Sequence, residues 1–197
     1  EPDPGFFVSV DDTQSGEFIL ISAGSHTTSE VRFFPADAAE PNPQLIAKRE
    51  TDVEYAVEHW DDQFVILTNR DTAVDFKIVT APLSDPSPAN WQDIVPHRAG
   101  TLIVDVAVLR DYMLRLERHD GLPRLIVRDK TGTEQTVAFE EAAYSLGMST
   151  WYQFDTPEIR LSYSSPTTPQ QTFDFNLATD ERILRKTQEV PSGHDPS

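Results

Sequence analysis

The sequence predicts an all-β protein in which one four-stranded unit is repeated four times. Three observations predict it. Short β-branched or aromatic runs recur along the chain, Asp, Gly, Pro and Ser punctuate them, and no segment holds a 3.6-residue apolar period. Asp37-Ala-Ala-Glu40 has room for one helical turn at most.

The runs recur in a fixed order. Second strands begin at Phe18, Gln63, Tyr112 and Glu158, which are 45, 49 and 46 residues apart. Each follows a first strand: Phe7-Val-Ser-Val10, Val53–Val57, Leu102–Val108 and a weaker Tyr144–Met148. The turns between them are rich in Asp: Asp11–Gly16, Asp61-Asp62, Arg110-Asp111 and Asp155-Thr-Pro157. An Asp side chain accepts from nearby backbone amides and so favours a tight reversal. Third strands alternate, with Val31 and Phe33 against Arg32, Phe76 and Ile78 against Lys77, and Phe173 and Phe175 against Asp174. Leu125 and Val127 flank Ile126 in the remaining unit. Period-two alternation puts one set on a buried face. Fourth strands close each unit at Gln44–Ala47, Trp91–Val95, Glu134–Phe139 and Arg182–Arg185.

A repeat of roughly 40–50 residues carrying four strands is the pattern of β-propeller blades. A single sheet cannot cover both of its apolar faces, and stacking the next sheet covers one. A β-sandwich would bury the same strands but leaves the corresponding turns unexplained. The expectation is therefore a β-propeller fragment of about four blades over residues 5–190, divided near 5–50, 51–98, 99–142 and 143–190. Glu1-Pro-Asp-Pro-Gly5 resembles the cut edge of a longer protein rather than a leader peptide, and 191–197 a severed linker.

Composition narrows the function classes. There are 33 acidic residues against 16 basic ones, a formal net charge of -17. Such a field repels phosphate backbones, so nucleic acid is not expected as a partner, whereas cationic peptides are attracted. No apolar run approaches the ~20 residues that cross a bilayer, so no membrane span is expected. The absence of cysteine excludes disulfides and thiolate metal sites and fits a cytoplasmic location.

Particular strings carry a resemblance. They are Thr27-Thr-Ser-Glu-Val31, Val53-Glu-Tyr-Ala-Val-Glu-His59, Phe64-Val-Ile-Leu-Thr-Asn69 and Asp75-Phe-Lys-Ile-Val79. Trp91–Arg98, His119–Arg124 and Ile159–Ser165 with Thr168-Pro169 continue the series. In this order they resemble the propeller of the prolyl oligopeptidase family, most closely its oligopeptidase B (protease II) branch. The resemblance covers nearly the whole chain. It implies a seven-bladed propeller capping an α/β-hydrolase domain in cis, of which this chain is similar to the C-terminal four blades. It also implies a parent enzyme that hydrolyses short peptides through a catalytic serine, after Arg or Lys. Residues 191–197 resemble the crossing toward that hydrolase domain, with Ser192, Gly193 and His194 where relatives often have two glycines and an aromatic residue.

The chain is not expected to carry the chemistry itself. Acyl transfer needs a Gly-x-Ser-x-Gly elbow. The nearest string, Gly147-Met-Ser149-Thr-Trp151, has tryptophan where the second glycine belongs, so Ser149 is expected in a strand or loop. The family's catalytic residues lie downstream, no catalytic residue is assigned here, and the chain alone should be inactive. The five histidines show no metal spacing, and no metal or other cofactor is expected. Strand order puts His26, His97 and His119 at one end of the sheets with Lys48, Arg49, Arg70 and Arg98. Asp11, Asp12, Asp61, Asp62, Asp111 and Asp155 fall at the other. One rim would dock the hydrolase domain and the other face incoming peptide; ordinary turn chemistry accounts for the same residues. Trp60, Trp91, Trp151 and Tyr163 are expected in packing. Two open blade faces invite pairing with a second copy. The competing function is a stand-alone propeller that serves as a protein-interaction scaffold.

Overall fold

The computed structural model describes residues 1–149, 153–191 and 193. Sixteen strands lie among them, grouped into four antiparallel four-stranded meanders in which each strand pairs with its neighbour in sequence. The repeat is thus an all-β architecture, and among the described residues the one helical element is a single 3-10 turn at Pro88–Asn90. Among the described residues no helix is long and apolar enough to cross a membrane.

The chain divides into two compact units, Glu1–Leu102 and Ile103–Ser197. The first unit holds β1 (Phe7–Asp12), β2 (Phe18–Gly24), β3 (Ser29–Pro35) and β4 (Gln44–Ala47), then β5 (Tyr55–Trp60), β6 (Gln63–Thr68), β7 (Lys77–Pro82) and β8 (Gln92–Val95). Alternation on β3 works as its sequence predicts: Val31 and Phe33 are buried and Arg32 is exposed. Those side chains, with Leu20 and Ile46, pack against Tyr55, Phe64, Ile66 and Val79 of the next sheet. Phe33 and Phe64 meet edge to face at 4.8 Å, and Phe18 approaches both. Each such ring or branched side chain contributes about 1.5–3 kcal/mol when fully buried.

β9 (Thr101–Val108) begins at the boundary and opens the second pair of sheets. It is followed by β10 (Tyr112–His119), β11 (Leu122–Asp129) and β12 (Glu134–Val137), then β13 (Ser145–Ser149), β14 (Glu158–Ser164), β15 (Gln171–Asn176) and β16 (Arg182–Thr187). Here Leu114, Leu125 and Val127 pack against Ile159, Leu161, Tyr163 and Phe175. The β10–β11 hairpin turns on Asp120 and Gly121, with φ of 51° and 79°. Two successive positive φ values make the primed turn whose twist suits flanking strands, and Asp-Gly is the pair that tolerates it.

Several expected details shift. β1 runs through Asp11 and Asp12, so the first turn is shorter than Asp11–Gly16. Phe76 does not share the buried face of Ile78. It precedes β7 with φ 65°, because the connection has already entered the left-handed region at Asp71 and Thr72. β12 ends at Val137, which frees Phe139 to stack on Tyr163 at 5.0 Å. Phe173, expected on the buried face, is half-buried, and Asp174 on the opposite face is buried. Bulges interrupt the third-to-fourth strand pairing at Val31/Arg32, Ile78/Val79 and Thr172/Phe173, whereas β11–β12 stays in register. Trp151, Ser192 and His194–Ser197, and with them most of the proposed linker, lie outside the described residues.

Candidate functional site

Ser149 closes β13 opposite Arg160, in regular strand geometry. The other serine of interest is Ser15, in the β1–β2 turn, whose Oγ lies 2.9 Å from His59 Nδ1 and 2.9 Å from Thr13 Oγ1. A nucleophile–base pair needs a third group to orient the imidazole. His59 Nε2 is instead buried without a hydrogen-bond partner, and its ring sits between Phe18 and Phe64. His59 is only 1 % exposed. The contact ties the β1–β2 turn to β5 and lacks the parts of a hydrolytic centre. Among the described residues no three His, Asp or Glu side chains converge as a metal site.

The rims carry the remaining charge. Antiparallel order brings the connections that follow β2 and β4 to one end of their sheet. At that end Arg49 Nη2 lies 2.6 Å from Glu1 and its guanidinium 4.1 Å over the Phe6 ring. Arg70 pairs with Glu50 at 2.7 Å, and Lys77 with Asp71 and Asp93 at 3.2 and 3.1 Å. His97 Nε2 is 3.7 Å from Asp75, and in the second unit His119 Nε2 is 3.3 Å from Asp120. Of the residues predicted at this end, Arg49, Arg70, His97 and His119 therefore have carboxylate neighbours. Lys48 and His26 lie at the same end in the first unit, and Arg98 follows β8.

The opposite rim is acidic, as the turns predict. Asp11, Asp12 and Asp62 are exposed and hold no ion pair among the described residues. Asp61 forms its hairpin at φ 58°. In the second unit Asp155 pairs with Arg110 at 3.1 Å, and Asp111 with Lys130 at 3.8 Å.

One polar cluster had no sequence signal. Glu141, in the connection before β13, accepts from the hydroxyls of Tyr163, Ser165, Thr167 and Thr168, the last three at 2.6, 2.7 and 3.0 Å. The hydroxyl of Ser165, then those of Tyr163 and Thr167, hold its carboxyl down at about 2. Burial, then the Glu141 carboxylate, pushes the Tyr163 phenol well above its ordinary range. Only a three-dimensional neighbourhood joins residue 141 to residues 163–168.

Four-stranded antiparallel meanders, packed in pairs within each unit and with charged rims, are the repeat of a propeller domain. The sequence matches the model of the prolyl oligopeptidase N-terminal β-propeller domain over residues 1–188, and the chain belongs to that family of peptidases. It is 38 % identical to dipeptidyl aminopeptidase BI of Pseudoxanthomonas mexicana, matching all of this chain and 27 % of that protein. It is 31 % identical to protease 2 of Moraxella lacunata, again over all of this chain and 28 % of the relative. Among solved structures, oligopeptidase B of Trypanosoma brucei superposes with a TM-score of 0.92 at 27 % identity, over all of this chain and 29 % of its own. Oligopeptidase B of Leishmania major gives 0.90 at 26 % identity, with the same coverage of 100 % and 29 %. The chain spans less than a third of the length of these relatives.

Proposed function

We propose that this chain is the non-catalytic, substrate-filtering part of a serine oligopeptidase that cleaves short peptides after Arg or Lys. In this reading an α/β-hydrolase domain of the same polypeptide carries the nucleophile. The propeller admits extended peptides, excludes folded proteins by size, and concentrates basic substrates through its negative field. The supporting observation is the family match over residues 1–188, together with larger relatives that include two oligopeptidases B. The net charge of -17 supports the steering component.

The test is turnover by the parent enzyme on an arginine-containing peptide series and on a folded protein bearing the same site. The expected result is rapid cleavage of the short peptides, negligible cleavage of the folded protein, and kcat/KM for the basic peptides that falls as salt rises. Equal cleavage of the folded protein overturns size filtering, and a kcat/KM indifferent to salt overturns steering. Peptide hydrolysis by the 197 residues alone overturns the non-catalytic assignment.

A further inference from the structure

The second unit contains a slot that neither the rims nor the family match accounts for. Register places Tyr112 opposite Asp129 and Leu114 opposite Val127, while Val127 faces Gln135. Tyr112, Val127, Asp129 and Gln135 thus share the sheet face that packs toward β14 and β15. Leu177 and Ala178, just beyond β15, close the opposite wall. The cavity between them is about 250 Å³. Pockets that take drug-sized molecules run to roughly 300–1,000 Å³, so this one suits a single side chain.

Its walls are an aromatic ring and aliphatic groups, and its polar end is organised. Asp129 Oδ1 accepts from Thr131 N at 2.8 Å, Thr131 Oγ1 at 2.6 Å and Thr133 N at 3.0 Å. Those bonds, the Thr131 hydroxyl first, hold the carboxyl below its ordinary value and keep it charged. These three bonds all use one oxygen, Oδ1. Gln135 on the lining is itself held, its Nε2 donating to Asp180 Oδ1 at 3.2 Å. The neighbouring cations are engaged elsewhere: Arg128 with Glu134 at 3.1 Å, and Lys130 with Asp111 at 3.8 Å.

We infer that this slot binds a cationic side chain, arginine or lysine, of a peptide. The aliphatic stem would lie along Tyr112, Val127 and Leu177, and the charged head would reach Asp129 Oδ2. Long cationic side chains bury their stems on apolar surface in this way while the head keeps a polar partner. The inference rests on the peptide-handling reading above for the source of that side chain.

The experiment is an NMR titration of the 197-residue chain with Nα-acetyl-arginine amide and with its neutral isostere, Nα-acetyl-citrulline amide. Saturable shifts of the Tyr112, Leu177 and Ala178 amides are expected with the arginine compound. Citrulline should bind about tenfold more weakly, the loss that goes with one charge-assisted hydrogen bond. Asp129→Asn keeps the Oδ1 acceptor for Thr131 and Thr133 and removes the charge, so it should bring arginine down to the citrulline level. Ala178→Phe fills the slot without touching the carboxylate and should abolish the shifts. Equal binding of the two amides, no saturable shift with arginine, or shifts unchanged in both variants would each overturn the proposal. No turnover is read, so this outcome is independent of the salt and size tests on the parent enzyme.

Discussion

The two pairs of sheets solve the same packing problem with different side chains. In the first unit the interior is aromatic and aliphatic: Phe18, Phe33 and Phe64 interlock, and no carboxylate, lysine or arginine is buried beside His59 and Tyr55. In the second unit Arg115 and Glu117, 4 and 2 % exposed, are buried on β10. Arg115 gives Nε to Glu117 at 2.6 Å and both terminal nitrogens to Glu134 at 2.6 and 2.7 Å. Asp174 on β15 is gripped in the same manner by Arg160 at 2.8 Å and Arg185 at 2.5 Å. A blade face tolerates charge when every buried charge meets a geometrically matched partner, and otherwise must be apolar.

Both units also use a tyrosine to tie one sheet to the next. Tyr55 on β5 donates to Ala47 O at 2.7 Å and accepts from Val31 N at 2.6 Å, filling the gap that the Val31/Arg32 bulge opens. Burial pushes its phenol up to about 12. Tyr144, just before β13, makes the single bond to Pro123 O at 2.9 Å, across a regular ladder. The deeper tyrosine is the one that repairs an irregular sheet.

The contrast breaks most visibly at Arg115. Arg115→Met removes the guanidinium from a buried Glu117 and should cost about 3–5 kcal/mol in urea denaturation. Replacing Glu117 by Leu as well should recover most of it. A loss below about 1 kcal/mol, the range of a surface pair, would mean that the buried charges are not structural. The tyrosines sharpen the comparison at a smaller scale. Tyr55→Phe leaves buried backbone groups at the bulge unpaired and should cost about 1–3 kcal/mol, whereas Tyr144→Phe should cost less than about 1 kcal/mol. Equal costs would dissolve the distinction between the two ties.

The smallest effect is expected at Glu141. Its carboxyl is lowered from the usual 4.5 to about 2 in the folded chain, so the clamp on Ser165–Thr168 is in full force above the ordinary carboxylate range. The stabilisation is lost as pH falls through the folded value. Protection of the Thr167 and Thr168 amides, which donate to Ser165 Oγ at 3.1 and 2.9 Å, should decline between pH 4.5 and 2. In Glu141→Gln the decline should disappear; a decline that persists would remove Glu141 as its cause.

Strand positions were legible because each depends on a few consecutive residues. The spacing of Phe18, Gln63, Tyr112 and Glu158 located the four second strands, and each begins where the spacing predicts. Phe76 and Phe139 failed for one reason: an aromatic residue at a strand boundary satisfies the pattern, while its φ or its stacking partner is set by the connection. The acidic rim was legible because turn chemistry is local. The basic rim was half legible, since Arg49 and Arg70 could be placed at one end without their carboxylate partners, whereas Lys77 was read only as a strand residue.

By itself the sequence determined the all-β class, the fourfold unit, the order of strands and the family, since alternation, turn residues and motif strings are properties of short contiguous segments. Tertiary structure alone decided which polar groups are charged neighbours and which are buried. Glu141 met residues 163–168, Tyr55 entered a bulge in another sheet, and Asp129 came to lie beside Leu177. Such contacts join positions tens of residues apart, and their energies depend on distance and burial, which become defined when sheet packs on sheet.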